Sequence, residues 1–448
     1  MNTDFLAGVI FILVFGGMIF IHELGHYLAS LWMGVEVEEF GFGIPPRAWR
    51  FWRFKGSLTL NNQTIEIPRN FDLPFLAEDS LNRGVDVALN RVDDKWVLET
   101  IQLAATEDGQ YRPNKTAPVQ GSDGKWRMDG ILQKISQGTE FTLNWLPLGG
   151  FVRPKGENDP NVAGGLAAAA PWRRLVVLFA GPIMNLIAGV FVYSMLFSQI
   201  GIPSDNIIQL YSVEKDSPAD VAGLRANDVF LSAGGETITS QTQLRKIILG
   251  SLDQPLDLVI LRDGEELSLT ATPSSARPAE IGALGIGMGP KYVPAESWFE
   301  TIPHSFSATY YQIEFFITLP GRIMSGEIAS EQARFSGLFG IFNVFQETVA
   351  EDVASREVVT SSSVPEPTNY TLEIIASLTI TIGIFNLLPF PALDGGRIFF
   401  IIPEMIFRKR VPHQFENAVH AAGMLFLIAF MIYVNVMDFV NPIQIDLP

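Results

Sequence analysis

His22, Glu23 and His26 stand together as H-E-L-G-H. On a helix, side chains four positions apart share a face, so both imidazoles could reach one metal ion. Glu23 lies about 100° around that helix and can still approach a water held there. Zinc bound by three protein ligands keeps a fourth position for water and lowers that water's pKa to about 7. A carboxylate beside it can act as general base and pass the proton to a leaving amine. The same pattern arises by chance in soluble helices, so its setting matters. The chain is uncharged from Phe5 to Ile21. Ionisable groups at the end of such a segment are costly, and by default they are functional. Seventeen residues at about 1.5 Å each put His22 roughly 26 Å along the helix, near one edge of a bilayer's hydrocarbon.

A third ligand is needed. Asp394 is the candidate, in N-L-L-P-F-P-A-L-D-G-G-R-I-F-F over 386–400. Pro389, Pro391 and the Gly395-Gly396 pair break a helix there, and broken backbone at membrane depth is tolerated only where it is buried or lines a cavity. Asp394 either completes a metal site or caps the helix that follows. His420 is the alternative third ligand, since it is the other histidine near an apolar segment.

These residues have to be positioned by apolar helices. The chain has 448 residues, 48% hydrophobic, with the apolar residues gathered in blocks. That pattern reads as a membrane protein with polar domains attached. Four blocks reach the roughly 20 apolar residues that a spanning helix requires: about 5–30, 175–203, 372–393 and 418–438. The first block lacks the basic flank and cleavage site of a secretory signal, so it is expected to be retained.

Arg47, Arg50, Arg53 and Lys55 follow the first span, and Arg153, Lys155, Arg173 and Arg174 precede the second. Arg397, Arg408, Lys409 and Arg410 lie between the third and fourth. The positive-inside rule then makes those two segments cytoplasmic and both termini exterior. Residues 201–369 hold 10 basic and 22 acidic residues and fall outside. Net charge is −17, which argues against nucleic acid as a partner. There is no cysteine, which excludes disulfides and thiolate zinc sites.

Residues 56–138 read as a β-rich cytoplasmic insertion, with alternating stretches between Asn, Asp and Gly turns. Residues 207–275 alternate strands with a short helix and close on a hairpin turning at Asp263-Gly264. Residues 295–350 mix aromatics with charge, as helices lying on a membrane do. Residues 357–370 read as a flexible linker. The stretch 282–289, G-A-L-G-I-G-M-G, is either part of a peptide-binding rim or a glycine-rich turn.

The two chemical stretches together resemble the site-2 protease family, zinc metalloproteases that cut within membranes. That family pairs H-E-x-x-H with a distant N-x-x-P-x-x-x-L-D-G, which Asn386, Pro389, Leu393, Asp394 and Gly395 match. G-F-G-I-P-P at 41–46, the 138–157 stretch containing Gly149-Gly150, F-A-G-P-I-M-N at 179–185 and a PDZ-like 217–235 follow in family order. The resemblance implies Zn2+ held by His22, His26 and Asp394, and water activated by Glu23. It also implies substrate held in extended form by Asn386 and the strand around Gly149 and Gly150. The implied partners are single-span membrane proteins and the lipid bilayer. Implied substrates are anti-sigma factors or leftover signal peptides, cut after a first cleavage has trimmed them.

The expected fold is a multi-pass α-helical membrane protein of about four transmembrane helices, with a β-rich cytoplasmic insertion and an exterior PDZ-like α+β domain. Helix 1 with H-E-x-x-H takes 1–35. A cytoplasmic, membrane-associated β region takes 36–172, with the insertion at 56–138. Helix 2 takes 173–203, the PDZ-like domain 204–290, and surface helices with a linker 291–369. Helix 3 with the L-D-G motif takes 370–396, a cytoplasmic loop 397–417, and helix 4 with the C-terminal tail 418–448. The insertion departs from the family's usual short hairpin. Two other function classes remain: a membrane peptide-binding scaffold, which predicts a damaged motif, and a metal transporter, which predicts internal repeats. The motif is intact, and the spans show no repeat.

Overall fold

The computed structural model describes residues 3–75, 80–104, 113–157, 159–277, 282–326, 328, 334–358 and 369–442. Two compact units emerge: Met1–Ala188 with Leu378–Val436, and Gly189–Ser377 with Met437–Pro448.

The first unit opens with helix α1, Thr3–Met33. Its end is a Schellman turn, in which Val35 N–H bonds Ser30 O at 2.9 Å and Gly34, at φ 73°, bonds Leu31 O at 3.2 Å. Strand β1 (Val37–Arg53) follows and later pairs antiparallel with β8 (Glu140–Pro154), with bulges along both. Between them lie β2 (Gly56–Leu60), β3 (Gln63–Ile67), β4 (Gly84–Val92), β5 (Lys95–Leu103), β6 (Val119–Gln120) and β7 (Trp126–Ser136).

The ladder runs β2-β3-β5-β4-β7, and β7 pairs back onto β2, so the insertion is a small closed barrel. Asn61-Asn62 and Asp93-Asp94 make its tight turns, with φ between 48° and 65°, as two-residue hairpins of type I′ need. Alternating positions fill it with Leu58, Leu60, Ile65, Ile67, Val85, Leu89, Leu98 and Leu132, among others. Each such side chain contributes about 1.5–3 kcal/mol, so the insertion carries a core of its own. Helix α2 (Pro171–Ile200) starts with Pro171, whose missing N–H costs nothing at a helix start.

The second unit contains β9 (Ile202–Val213), α3 (Pro218–Val221), β10 (Val229–Ala233), β11 (Glu236–Thr237), α4 (Gln241–Gly250), β12 (Leu256–Arg262), β13 (Glu265–Ala271) and β14 (Ile286–Val293). Sheet order is β13-β12-β10-β9-β14. The β12–β13 hairpin turns at Asp263-Gly264, both at positive φ, as expected from the sequence. The 282–289 stretch divides. Gly282 and Gly285 turn at φ 69° and 71°, and the remainder is edge strand β14. Two further helices follow, α5 (Trp298–Met324) and α6 (Leu338–Val358). Most of the linker expected at 357–370 lies outside the described residues.

Three helices close the chain: α7 (Tyr370–Leu387), α8 (Asp394–Phe407) and α9 (His413–Val440). The loop expected over 397–417 is largely helix, because the Gly395-Gly396 pair opens α8 instead of ending a segment. A Cβ on Gly395 would lie 2.1 Å from Leu388 O, and one on Gly396 would lie 2.3 Å from Phe390 O. Only glycine lets the preceding loop fold onto that first turn. Among the described residues four helices are long and apolar enough to cross a membrane: Asp4–Met33, Pro171–Ile200, Tyr370–Leu387 and His413–Val440. The fourth starts at His413, five residues before the expected 418.

Candidate active site

Two turns of α1 and the first residue of α8 meet within the first unit. Asp394 Oδ2 lies 3.1 Å from His22 Nε2 and 3.3 Å from His26 Nε2, and the two Nε2 atoms are 3.2 Å apart. Four ligands at about 2.0–2.1 Å from a tetrahedral zinc lie about 3.3 Å from one another, so this triangle fits three corners of such a site. Both histidines are buried. Two imidazole nitrogens and one carboxylate oxygen form the nitrogen and oxygen donor set that a divalent cation such as zinc takes.

Asp394 does not cap α8. The N-cap residue is Leu393, without a side-chain cap bond, and the Asp394 carboxylate is turned to the histidines. His420, the alternative ligand, is elsewhere: its Nδ1 accepts the Ala392 N–H at 2.9 Å. Ala392 has φ 81°, a left-handed conformation that non-glycine residues rarely adopt. The His420 bond helps hold that bend just ahead of Asp394.

The histidine tautomers are set by α2. His26 Nδ1 donates to Val177 O at 2.8 Å, which leaves the Nε2 lone pair facing the triangle. Asn185 Nδ2 lies 3.4 Å from His22 Nδ1, and Asn185 Oδ1 is buried without a partner among the described residues. Turning that amide over gives Oδ1 the Nδ1 proton and leaves His22 Nε2 unprotonated as well. Gly181 admits the helix this close, since a Cβ there would lie 2.4 Å from His26 Nε2. Sequence reading missed Asn185 and Gly181 as individual residues. The signal was available, because an Asn beside Gly-Pro inside a charge-free span calls for a polar partner.

Glu23 Oε2 accepts the Val152 N–H of β8 at 2.9 Å, and its charge acts on His26, His22 and Asp394. This bond lays β8 along α1. A Cβ on Gly150 would lie 4.0 Å from Glu23 Cγ, and one on Gly149 would lie 3.3 Å from Ile19 Cδ1. The residues around Gly149 and Gly150 thus run beside the histidine turns. Asn386 is half-buried in the last turn of α7 and has no side-chain hydrogen bond among the described residues.

The profile of Peptidase family M50 matches residues 10–59 and 127–430. The chain belongs to this family. The unmatched interval between the two segments falls within the barrel, which marks the barrel as the departure from the common M50 plan. The chain is 27% identical to a zinc metalloprotease RasP of Geobacillus kaustophilus, over 95% of this chain and 96% of that protein. It is 25% identical to the regulator of sigma-W protease RasP of Bacillus subtilis, over 95% and 96%. A putative zinc metalloprotease of Clostridium perfringens is 30% identical over 68% of this chain and 85% of its own. The PDZ domain of an SdrC-like protein from Listeria monocytogenes aligns with 21% of this chain and 94% of its own, at 17% identity and a TM-score of 0.16. This M50 chain is a zinc metalloprotease of the site-2 protease type, and its cofactor is Zn2+.

Proposed function

We propose that the chain is an intramembrane endopeptidase, with His22, His26 and Asp394 as zinc ligands and Glu23 as general base. The observation that carries this reading is the ligand triangle at the far end of an apolar helix long enough to span a bilayer. Bound Zn2+ supplies Lewis acidity and brings a water's pKa to about 7. Glu23 takes the proton of the attacking water and delivers it to the amide nitrogen as the C–N bond breaks. The edge of β8 near Gly149 and Gly150 receives the substrate in extended form. A transmembrane helix must unwind before its amide can be cut, and a strand edge satisfies the backbone groups that unwinding frees. Asn386, one turn before the loop to Asp394, contributes a free amide to the same end. The substrates are single-span membrane proteins already trimmed outside, so this is the second cut of a cascade. Positive-inside asymmetry supports a zinc site near the cytoplasmic face and a PDZ-like domain outside.

Co-expression with a tagged, trimmed single-span substrate tests the reading. Wild type cleaves it. Glu23→Gln retains zinc and loses about 10²–10⁴-fold in rate, the worth of a positioned base. Cleavage by Glu23→Gln at the wild-type rate would remove Glu23 from the chemistry.

A further inference from the structure

A cavity of about 350 Å³ lies in the same unit as the candidate active site. Arg174 of α2, Arg397 of α8, Arg410 in the connection to α9 and His420 of α9 line it, together with Glu157 and Glu416. The Arg174 side chain is 6% exposed. Its Nη2 donates to Glu404, but its Nε and Nη1 are buried with no acceptor among the described residues. Arg410 Nη1 donates to Ala167 O at 2.6 Å, and its Nε is buried and unpartnered. His420 accepts at Nδ1, so its ring proton is on Nε2, which is also buried and unpartnered. Among the described residues, four buried donor atoms on Arg174, Arg410 and His420 therefore lack an acceptor around one cavity.

Buried donors without partners are costly, and guanidinium donors most of all. The missing partner has a defined chemistry. It accepts and does not donate, it has several oxygens in a compact group, and it is anionic. Of the two lining carboxylates, Glu157 is already engaged by Arg397. Arg174 is offset by Glu404 and Arg397 by Glu157, which leaves Arg410 as the lining guanidinium with no carboxylate bonded to it among the described residues. Water oxygens can accept from these donors, but they bring no negative charge to the guanidiniums. A phosphoryl group fits, since its oxygens match the guanidinium fork.

We propose that this cavity binds a phosphoryl oxyanion, carried either by the headgroup of an acidic phospholipid or by free phosphate. Arg174 is in the first turn of one candidate span and His420 in the second turn of another, the depth at which headgroups lie. Two lining residues connect the cavity to the segment that presents Asp394. His420 holds Ala392, and Arg397 follows Asp394 by three residues. A bound anion braces the bend that presents Asp394.

The full chain, stripped of lipid in uncharged detergent, is titrated with inorganic phosphate by calorimetry. In parallel it is placed in phosphatidylcholine nanodiscs with and without phosphatidylglycerol, and the lipid retained on extraction is measured by native mass spectrometry. Arg410→Gln weakens the bound species by about tenfold, the worth of one charge-assisted hydrogen bond. Lys409→Gln, which removes the same charge next door but outside the lining, leaves binding unchanged. Arg174→Gln gives the larger loss. Should its broken pair with Glu404 prevent folding, the Arg410 and Lys409 pair still decides. Retention of phosphatidylglycerol without phosphate binding assigns the headgroup as the source, and the reverse assigns free phosphate. Equal binding by wild type and Arg410→Gln, or equal loss in Lys409→Gln, overturns the site.

Discussion

Asp394 Oδ2 lies 3.1 Å from His22 Nε2 across 372 positions of sequence. The contact joins the first helix of the chain to the start of α8, and among the described residues only His26 shares the carboxylate with it. On the proposed mechanism Asp394 is the third ligand. Asp394→Asn keeps the shape and removes the anionic oxygen. Zinc affinity should fall by more than about 100-fold, beyond what loss of an outer hydrogen bond costs. Metal content per chain after chelator challenge checks this. Full retention of zinc would assign the third ligand to another residue.

Gly181 offers a test of helix approach without replacing any titratable group. Its absent Cβ leaves room for His26 Nε2, which a methyl would meet at 2.4 Å. Gly181→Ala in a packed interior should cost about 1–3 kcal/mol of strain, or be relieved by displacing His26 from Val177 O. Either way the histidine geometry is disturbed. Zinc content and melting temperature should both drop, whereas Gly8→Ala, with open space around it, should change neither.

Some of this was legible in sequence and some was not, for physical reasons. The H-E-x-x-H triplet is local, and helical periodicity alone aligns His22 with His26. Apolar blocks declare four long helices by composition. The approach of Asp394 is different, because it depends on Ala392 bent by His420 and on two glycines pressed against Leu387, Leu388 and Phe390. None of those contacts follows from a local rule. Closure of the barrel is likewise non-local, since Ser57 pairs with Ser136. Helix α4 was missed despite a readable signal. Ser240 caps Gln243 N–H at 3.2 Å while the Gln243 side chain accepts from Thr239 N, a variant of the S-x-x-Q capping box.

The β1–β8 pair that lies along α1 is tied by a charge cluster outside the spans. Glu140 accepts from Arg53 Nε at 3.0 Å and pairs with Arg47 at 3.1 Å and Arg50 at 3.5 Å. Burial pushes its carboxyl up, but Arg53 and then the other arginines outweigh this and hold it below the ordinary 4.5. A carboxyl lowered by folding stabilises the fold above its unfolded pKa, and that contribution is lost as pH falls through the folded value. Wild-type melting temperature should therefore decline below pH 4.5. Glu140→Gln should lose about 1–3 kcal/mol at neutral pH and show a shallower acid decline. Parallel acid curves for the two proteins would dissociate this cluster from stability.

Pro203 pairs with Tyr292 and Ile202 with Val293, so the β9–β14 sheet of the second unit, the proposed PDZ-like domain, begins and ends at neighbouring points. The unit to remove in a deletion is thus 202–293, close to the 204–290 expected from sequence and larger than the 207–275 strand-and-helix stretch within it. Cutting inside β9 or β14 would leave an unpaired strand, whereas excision at the paired ends needs only a short Gly-Ser closure. The proposed topology puts this domain across a bilayer core of about 30 Å from the zinc site, too far to touch the reacting amide. It can act only on access. As a size filter, its removal leaves cleavage of trimmed substrates at the wild-type rate and lets untrimmed ones be cut. As a docking site, its removal slows both. The filter is the expected outcome, because the acidic exterior region offers little to attract a free C-terminal carboxylate. Cleavage of paired trimmed and untrimmed substrates by the 202–293 deletion, with zinc content as the control for folding, separates the two. Slower cutting of the trimmed substrate by a zinc-loaded deletion would make the domain a docking site.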